Sequence, residues 1–159
     1  FFYAMLYPGE SNSGKLVSKI KEEQNNYLEN AETEWVIIDG PPGIGCPVNA
    51  SISGVNMAVI VTEPTNSGFH DLERLIKLLN TFKVKMAVII NKYEMNLTKS
   101  EKIENYLYEN NILYLGYLSY NYAAVRALQN KKTIVDYSPV LGEQITEIWK
   151  LLQKTIEEN

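Results

Sequence analysis

Apolar residues come in short blocks separated by stretches with helical spacing. The run Trp35-Val-Ile-Ile38 has no polar alternation, so it reads as a strand covered on both faces by helices. Residues 57–62 and 85–90 read as two more buried strands, and residues 112–118 as a fourth of the series. An apolar stretch at 1–7 reads as a further short strand, followed by a turn over 8–13.

Between these runs the spacing changes. Leu16, Val17, Ile20 and Leu28 fall on one side of a helix over 14–30. A short helix is expected at 48–54. Ser67 reads as the N-cap of a helix carrying Leu72, Leu75, Ile76 and Leu79. Residues 100–110 form an amphipathic helix and 122–130 a short one. Pro139 opens a last helix reaching about residue 157, with Leu141, Ile145, Ile148, Leu152 and Ile156 on one stripe and Trp149 beside it. On its other face Glu143, Glu147, Glu157 and Glu158 offset Lys150 and Lys154. An interfacial helix is usually rich in Lys and Arg, so this stripe is expected to pack into a core.

Strands alternating with helices across short connections predict an α/β fold: three layers, a mostly parallel sheet and helices on both faces. Residues 1–159 read as a single domain. Three strands end in polar dipeptides, Asp39-Gly40, Glu63-Pro64 and Asn91-Lys92. In a parallel sheet these ends share one edge, where open α/β sheets bind ligands. Asp39 there could orient a water on Mg²⁺, and Pro41-Pro42-Gly43 would bring the backbone of Gly43 close by. An apolar strand followed by an ordinary Asp-Gly turn accounts for the same residues.

The chain is 45% hydrophobic and 21% charged, an ordinary globular composition, and its formal net charge of -4 argues against general nucleic-acid binding. Its single cysteine excludes an internal disulfide and points to a reducing compartment. No apolar run reaches the ~18 residues that a spanning helix needs. A cytoplasmic protein with no membrane or nucleic-acid partner is the expectation.

Gly9-Glu-Ser-Asn-Ser-Gly14-Lys15 has the spacing of a phosphate-binding loop. However, Leu16 stands where a Mg²⁺-binding hydroxyl belongs, and Lys15 is only 24 positions before Asp39. A plain helix N-terminus is preferred. Asn91-Lys92-Tyr93-Glu94 follows a strand; an Asn there can present its amide to a purine edge, and Glu94 stands where the guanine signature Asn-Lys-x-Asp has its carboxylate. Cys46 reads as a small buried residue. His70, the only histidine, has no metal-ligating companion nearby.

Taken in order, Val36-Ile-Ile-Asp-Gly-Pro-Pro-Gly-Ile-Gly-Cys-Pro-Val48, Ile60-Val-Thr-Glu-Pro-Thr65 with His70-Asp-Leu72, and Val88-Ile-Ile-Asn-Lys-Tyr93 resemble the MinD/ParA/Mrp class of deviant Walker P-loop ATPases. Pro8-Gly-Glu-Ser-Asn-Ser-Gly-Lys-Leu-Val17 resembles the stretch after the ferredoxin-like insert of one branch, which carries two [4Fe-4S] clusters. The resemblance implies that the whole protein binds and hydrolyses ATP. It implies that Asp39 is the Walker B aspartate, holding Mg²⁺ through water. Gly40, Pro41 and Gly43 belong to the turn that senses the γ-phosphate, Glu63, Pro64 and Thr65 lie beside the nucleotide, and Asn91, followed by Lys92, contacts adenine. A homodimer and an iron-sulfur or redox partner protein are the expected partners.

The family's Lys-Gly-Gly-x-Gly-Lys-Thr loop and cluster cysteines are not in this sequence. The chain is therefore expected to be the C-terminal portion of such an ATPase, lacking the N-terminal phosphate-loop strand, with clusters only in an upstream part and no hydrolysis by itself. The strand with Asp39 would then lack a neighbour, and the chain would fold well only with the rest of the protein or by self-association. The family's Ile-Pro-Tyr-Asp run reads Leu118-Ser-Tyr-Asn121 here, which loses a proline face and a carboxylate. That favours the alternative, a non-enzymatic dimerisation or partner-binding domain.

Overall fold

A computed structural model describes Tyr3, residues 13–28 and residues 32–158. The expected strand at 1–7, apart from Tyr3, and the turn at 8–12 lie outside the described residues. Two compact units are present, one within Phe1–Ala58 and Arg74–Lys85, the other within Val59–Glu73 and Met86–Asn159.

In the first unit α1 (Ser13–Leu28) packs on α2 (Cys46–Ile52). Gly14 lets them meet: a Cβ there would lie 3.3 Å from Cys46 Cβ. Lys21 fixes the other end of the contact. Its Nζ donates to the carbonyls of Ala50 (3.3 Å), Ser51 (3.1 Å) and Ser53. These are the carbonyls that the end of α2 leaves without partners, and a cation suits the negative end of a helix. Gly45 precedes α2 as its N-cap, with Pro47 in the first turn.

Residues 35–39 correct the sequence reading. They join no sheet ladder among the described residues, and Val36 and Ile37 are 43% and 80% exposed. An apolar run records a tendency to be covered; it becomes a strand only where neighbouring chains satisfy its backbone groups. Cys46 is also exposed, not buried as expected, because it is the first residue of α2.

The second unit carries most of a three-stranded parallel sheet in the order β1-β2-β3, with β1 at Met57–Thr62, β2 at Lys85–Asn91 and β3 at Leu113–Leu118. β2 and β3 pair from Ala87↔Leu113 to Asn91↔Leu118. The register slips once, so that Val88 faces Tyr114 and Ile89 faces Gly116. Gly116 adopts φ +129°, a backbone that side-chain-bearing residues rarely take. α7 (Pro139–Glu157) packs on β3, with Ile148 lying beside Gly116. Leu141 and Ile148 are buried, so the last helix is a core helix, as its stripe predicted.

α3 (Asn66–Phe82) follows β1, α4 (Leu97–Glu109) packs on β3, and α5 (Ala123–Gln129) and α6 (Ile134–Tyr137) lead into α7. Leu72, Val88, Ile90, Ile103 and Leu107 are among the fully buried side chains. α3 begins earlier than expected. Thr65, not Ser67, is its cap: Thr65 Oγ1 accepts from Gly68 N at 2.9 Å. A cap must lie outside the helix, and Asn66 is already helical. α4 starts at Leu97 because Asn96 Oδ1 accepts from Lys99 N at 3.1 Å. The 3-10 turn Tyr93–Met95 and the one-turn α6 have no periodicity for a sequence reading to catch.

Candidate functional site

In the second unit three parallel strands deliver three polar ends. β1 ends before Glu63, β2 ends in Asn91, and β3 ends before Ser119. Past β2, Lys92 turns the chain sharply with a left-handed backbone, φ 58° and ψ 43°. Its Nζ lies 2.6 Å from Glu63 Oε1. Both side chains are more than a third exposed, so the pair adds little stability; what it does is tie the end of β1 to the end of β2. Pro64 is fully buried, and Thr65 N donates to the Glu63 carbonyl at 2.7 Å, which fixes this turn.

A second tie joins the β2 and β3 ends. Glu94 Oε1 accepts from Ser119 Oγ at 2.8 Å, and Oε2 accepts from Tyr120 N at 3.1 Å. Gln144, on α7, grips the same serine twice. Its Oε1 accepts from Ser119 N at 3.1 Å, and its Nε2 donates to Ser119 Oγ at 3.0 Å. Burial alone would raise the Glu94 carboxyl; hydrogen bonds from Ser119, its own backbone and Tyr120 outweigh that and hold it below the usual carboxylate range.

Beneath this clasp the Tyr93 and Tyr117 rings lie 4.6 Å apart. Burial and the carboxylate of Glu104 push both Tyr93 and Tyr114 upward, so both phenols stay neutral. Asn121 spends its side chain locally, with Oδ1 accepting from Ala123 N at 2.8 Å at the start of α5.

Of the residues singled out from the sequence, Glu63, Pro64, Asn91 and Lys92 sit together at these strand ends. Asp39, Gly40, Pro41 and Gly43 belong to the first unit. Asp39 is exposed and follows no strand. Gly43 adopts φ +89°, and a side chain there would meet nothing within 4 Å, so its backbone is open to approach. Among the described residues no three His, Cys, Asp or Glu side chains gather to hold a metal ion. A Mg²⁺ bound to phosphates and water needs only one or two carboxylates, so Asp39 alone fits that mode. Gly14 and Lys15 lie in the first turn of α1, while the rest of their loop lies outside the described residues. His70 is exposed, 3.9 Å from Asp71. The sequence reading placed Thr65 beside the nucleotide but not as the cap of α3, and it missed the bond from Ser119 to Glu94 and the hold of Gln144 on Ser119, each a pairing across 25 positions that no local pattern signals.

No protein-family profile matches the chain. An uncharacterized protein of Methanocaldococcus jannaschii is 33% identical over 151 residues, 95% of this chain and 50% of that protein. The septum site-determining protein MinD of Bacillus subtilis is 30% identical over 98 residues, 60% of this chain and 37% of that protein. An uncharacterized ATP-binding protein of M. jannaschii is 24% identical over 125 residues, 76% of this chain and 49% of that protein. The structure of the MinD cell division protein of Aquifex aeolicus superposes with a TM-score of 0.68 over 88% of this chain and 61% of that one, at 21% identity.

The chain is related to the MinD-like P-loop ATPases.

It spans half or less of the length of these curated relatives. The MinC:MinD complex of A. aeolicus superposes with a TM-score of 0.67 over 88% of this chain and 59% of that one, at 23% identity. At these identities the structures establish a shared MinD-like fold. Among the described residues no helix is long and apolar enough to cross a membrane.

Proposed function

We propose that residues 1–159 are the C-terminal portion of a MinD-like ATPase and contribute part of its Mg²⁺-ATP site. The observation that carries this reading is the gathering of Glu63, Asn91 and Lys92 at the carboxyl ends of β1 and β2, the edge where open parallel sheets take their ligands. In this reading Asn91 faces the adenine, and Glu63 with Pro64 and Lys92 walls the nucleotide. Asp39 holds Mg²⁺ through water, and Gly40, Pro41 and Gly43 form the turn that answers the γ-phosphate. Bound Mg²⁺ would neutralise charge on the transferred phosphoryl group. This chain's own contribution is positioning.

The finer reading adds a homodimer, an iron-sulfur or redox partner, and [4Fe-4S] clusters held by an upstream ferredoxin-like insert. The insert and its clusters rest on the resemblance of residues 8–17. Paired Cys-x-x-Cys motifs encoded upstream would support this part, and their absence there would remove it. One relative's name mentions ATP binding, and one solved structure is a complex with MinC; these support a nucleotide and a protein partner for this chain. A non-enzymatic partner-binding role is the second reading. The internal use of Ser119 and Asn121, where the family has Pro and Asp, favours it.

Calorimetry separates the two. Under the first reading the full-length protein binds Mg²⁺-ATP in the micromolar range, and both Asp39→Ala and Asn91→Ala lose that binding. Binding unaffected by either substitution would place the nucleotide elsewhere. No binding at all would favour the second reading.

A further inference from the structure

Among the described residues four that are not glycine take a left-handed backbone: Lys83, Lys92, Asn111 and Lys131. Three of them close helices. Just after each, an amide reaches back into the last turn. Val84 N donates to the Leu79 carbonyl at 3.0 Å, Ile112 N to that of Leu107 at 2.9 Å, and Lys132 N to that of Ala127 at 3.0 Å. That is the ordinary use of a left-handed residue. Lys92 has no helix before it. It follows β2 directly and opens the 3-10 turn Tyr93–Met95. A residue with a side chain adopts this backbone at a cost, so something must hold it there.

Glu63 is the group in place to do so. Its Oε1 lies 2.6 Å from Lys92 Nζ, and its carbonyl accepts from Thr65 N at 2.7 Å, which fixes the β1 side of the pair. Immediately before the turn stands Asn91. Its backbone pairs with Leu118 in the sheet, while its side chain hydrogen-bonds to no described residue. The direction of that amide is therefore set by the backbone on either side of it: the β2 ladder before, the Lys92 turn after. An ammonium with a carboxylate this close also presents little net charge to a phosphate.

We propose that Lys92 and Glu63 are positioning residues, whose ion pair holds the turn that aims the Asn91 amide at the purine, and that neither holds the phosphates. This rests on the nucleotide site proposed above. The pair adds little to the stability of the fold, and aiming one side chain needs only a small bias.

The test titrates the full-length protein with Mg²⁺-ATP and measures inorganic triphosphate, which has no base, by its displacement of ATP. Lys92→Gly removes the ion pair but suits the left-handed backbone better. It should weaken ATP about fivefold, or about 1 kcal/mol at ~1.4 kcal/mol per tenfold, the upper end for an exposed pair. Triphosphate affinity should stay at the parent value, and the melting temperature should not fall. Glu63→Ala should weaken ATP by the same factor, and the two substitutions together should do no more than either alone. Lys92→Arg keeps the charge and should hold ATP affinity near that of the parent. Equal losses of ATP and triphosphate would mean that Lys92 meets the phosphates, which overturns the proposal. An ATP affinity unchanged in both Lys92→Gly and Glu63→Ala overturns it too, as does a lowered melting temperature with an unchanged ratio of the two affinities. Failure of the parent to bind Mg²⁺-ATP overturns the site reading and this claim together.

Discussion

Glu94 is exposed, yet hydrogen bonds from Ser119 and Tyr120 hold its carboxyl below the ordinary range. Its folded-state pKa lies below the ordinary value of 4.5. A depressed carboxylate contributes stability that is fully present above its unfolded pKa and is lost as the pH falls through the folded one. The clasp between the β2 and β3 loops should therefore hold at neutral pH and open only in acid below about 4.5. Following the Glu94 carboxyl by NMR should give a midpoint below that of a model peptide, and Ser119→Ala should raise it. A midpoint at the model value in the parent protein would mean that the clasp is not populated in solution. At this scale the sequence made Glu94 a candidate but could not supply its partners. Ser119 is brought to it by the end of β3, and Gln144 of α7 holds that serine in place.

Elements were easier to read than single contacts, and the reason is periodicity. β1 was predicted with its observed ends and β2 to within one residue, because a short apolar run between turn residues has few alternative uses. The start of α3 was misplaced by competing caps, since Thr65 and Ser67 both suit the role. Gly68 decides the matter. Its amide bonds to Thr65 Oγ1, its carbonyl accepts from Thr62 Oγ1 at 3.1 Å, and a Cβ on it would fall inside contact distance of the Glu63 carbonyl. Alanine is the better helix former by about 1 kcal/mol, so propensity alone predicts that Gly68→Ala stabilises. The clash is with backbone that cannot turn aside, and overpacking of this kind costs about 1–3 kcal/mol. Gly68→Ala should thus be destabilising by about 1–2 kcal/mol in denaturant unfolding, and it should disturb the Glu63–Lys92 pair as the β1 turn shifts. A stabilised variant would show that the close approach of α3 to the end of β1 is absent in solution.

For the whole molecule the informative segment is 35–39. Its composition says buried strand; its backbone has no ladder partner among the described residues, and Ile37 stands 80% exposed. These facts conflict only if hydrophobic pattern is taken to guarantee burial, and a pattern cannot supply the neighbour that would bury it. Ile37 distinguishes the possibilities in this chain. If the segment is as open as described, Ile37→Ser removes only exposed surface. Unfolding free energy should then change by no more than about 0.5 kcal/mol, as for other surface substitutions, and solubility should improve because an unguarded apolar edge is gone. A loss of about 2–4 kcal/mol, typical of emptying a packed position, would mean that something covers Ile37 in solution. Repeating the melt over a wide range of protein concentration then tells what does so. If a second copy supplies the missing neighbour, the parent chain's melting temperature rises with concentration while that of the variant does not, because mass action acts only where association buries the residue. If the cover comes from the chain itself, the stability difference stays the same at every concentration.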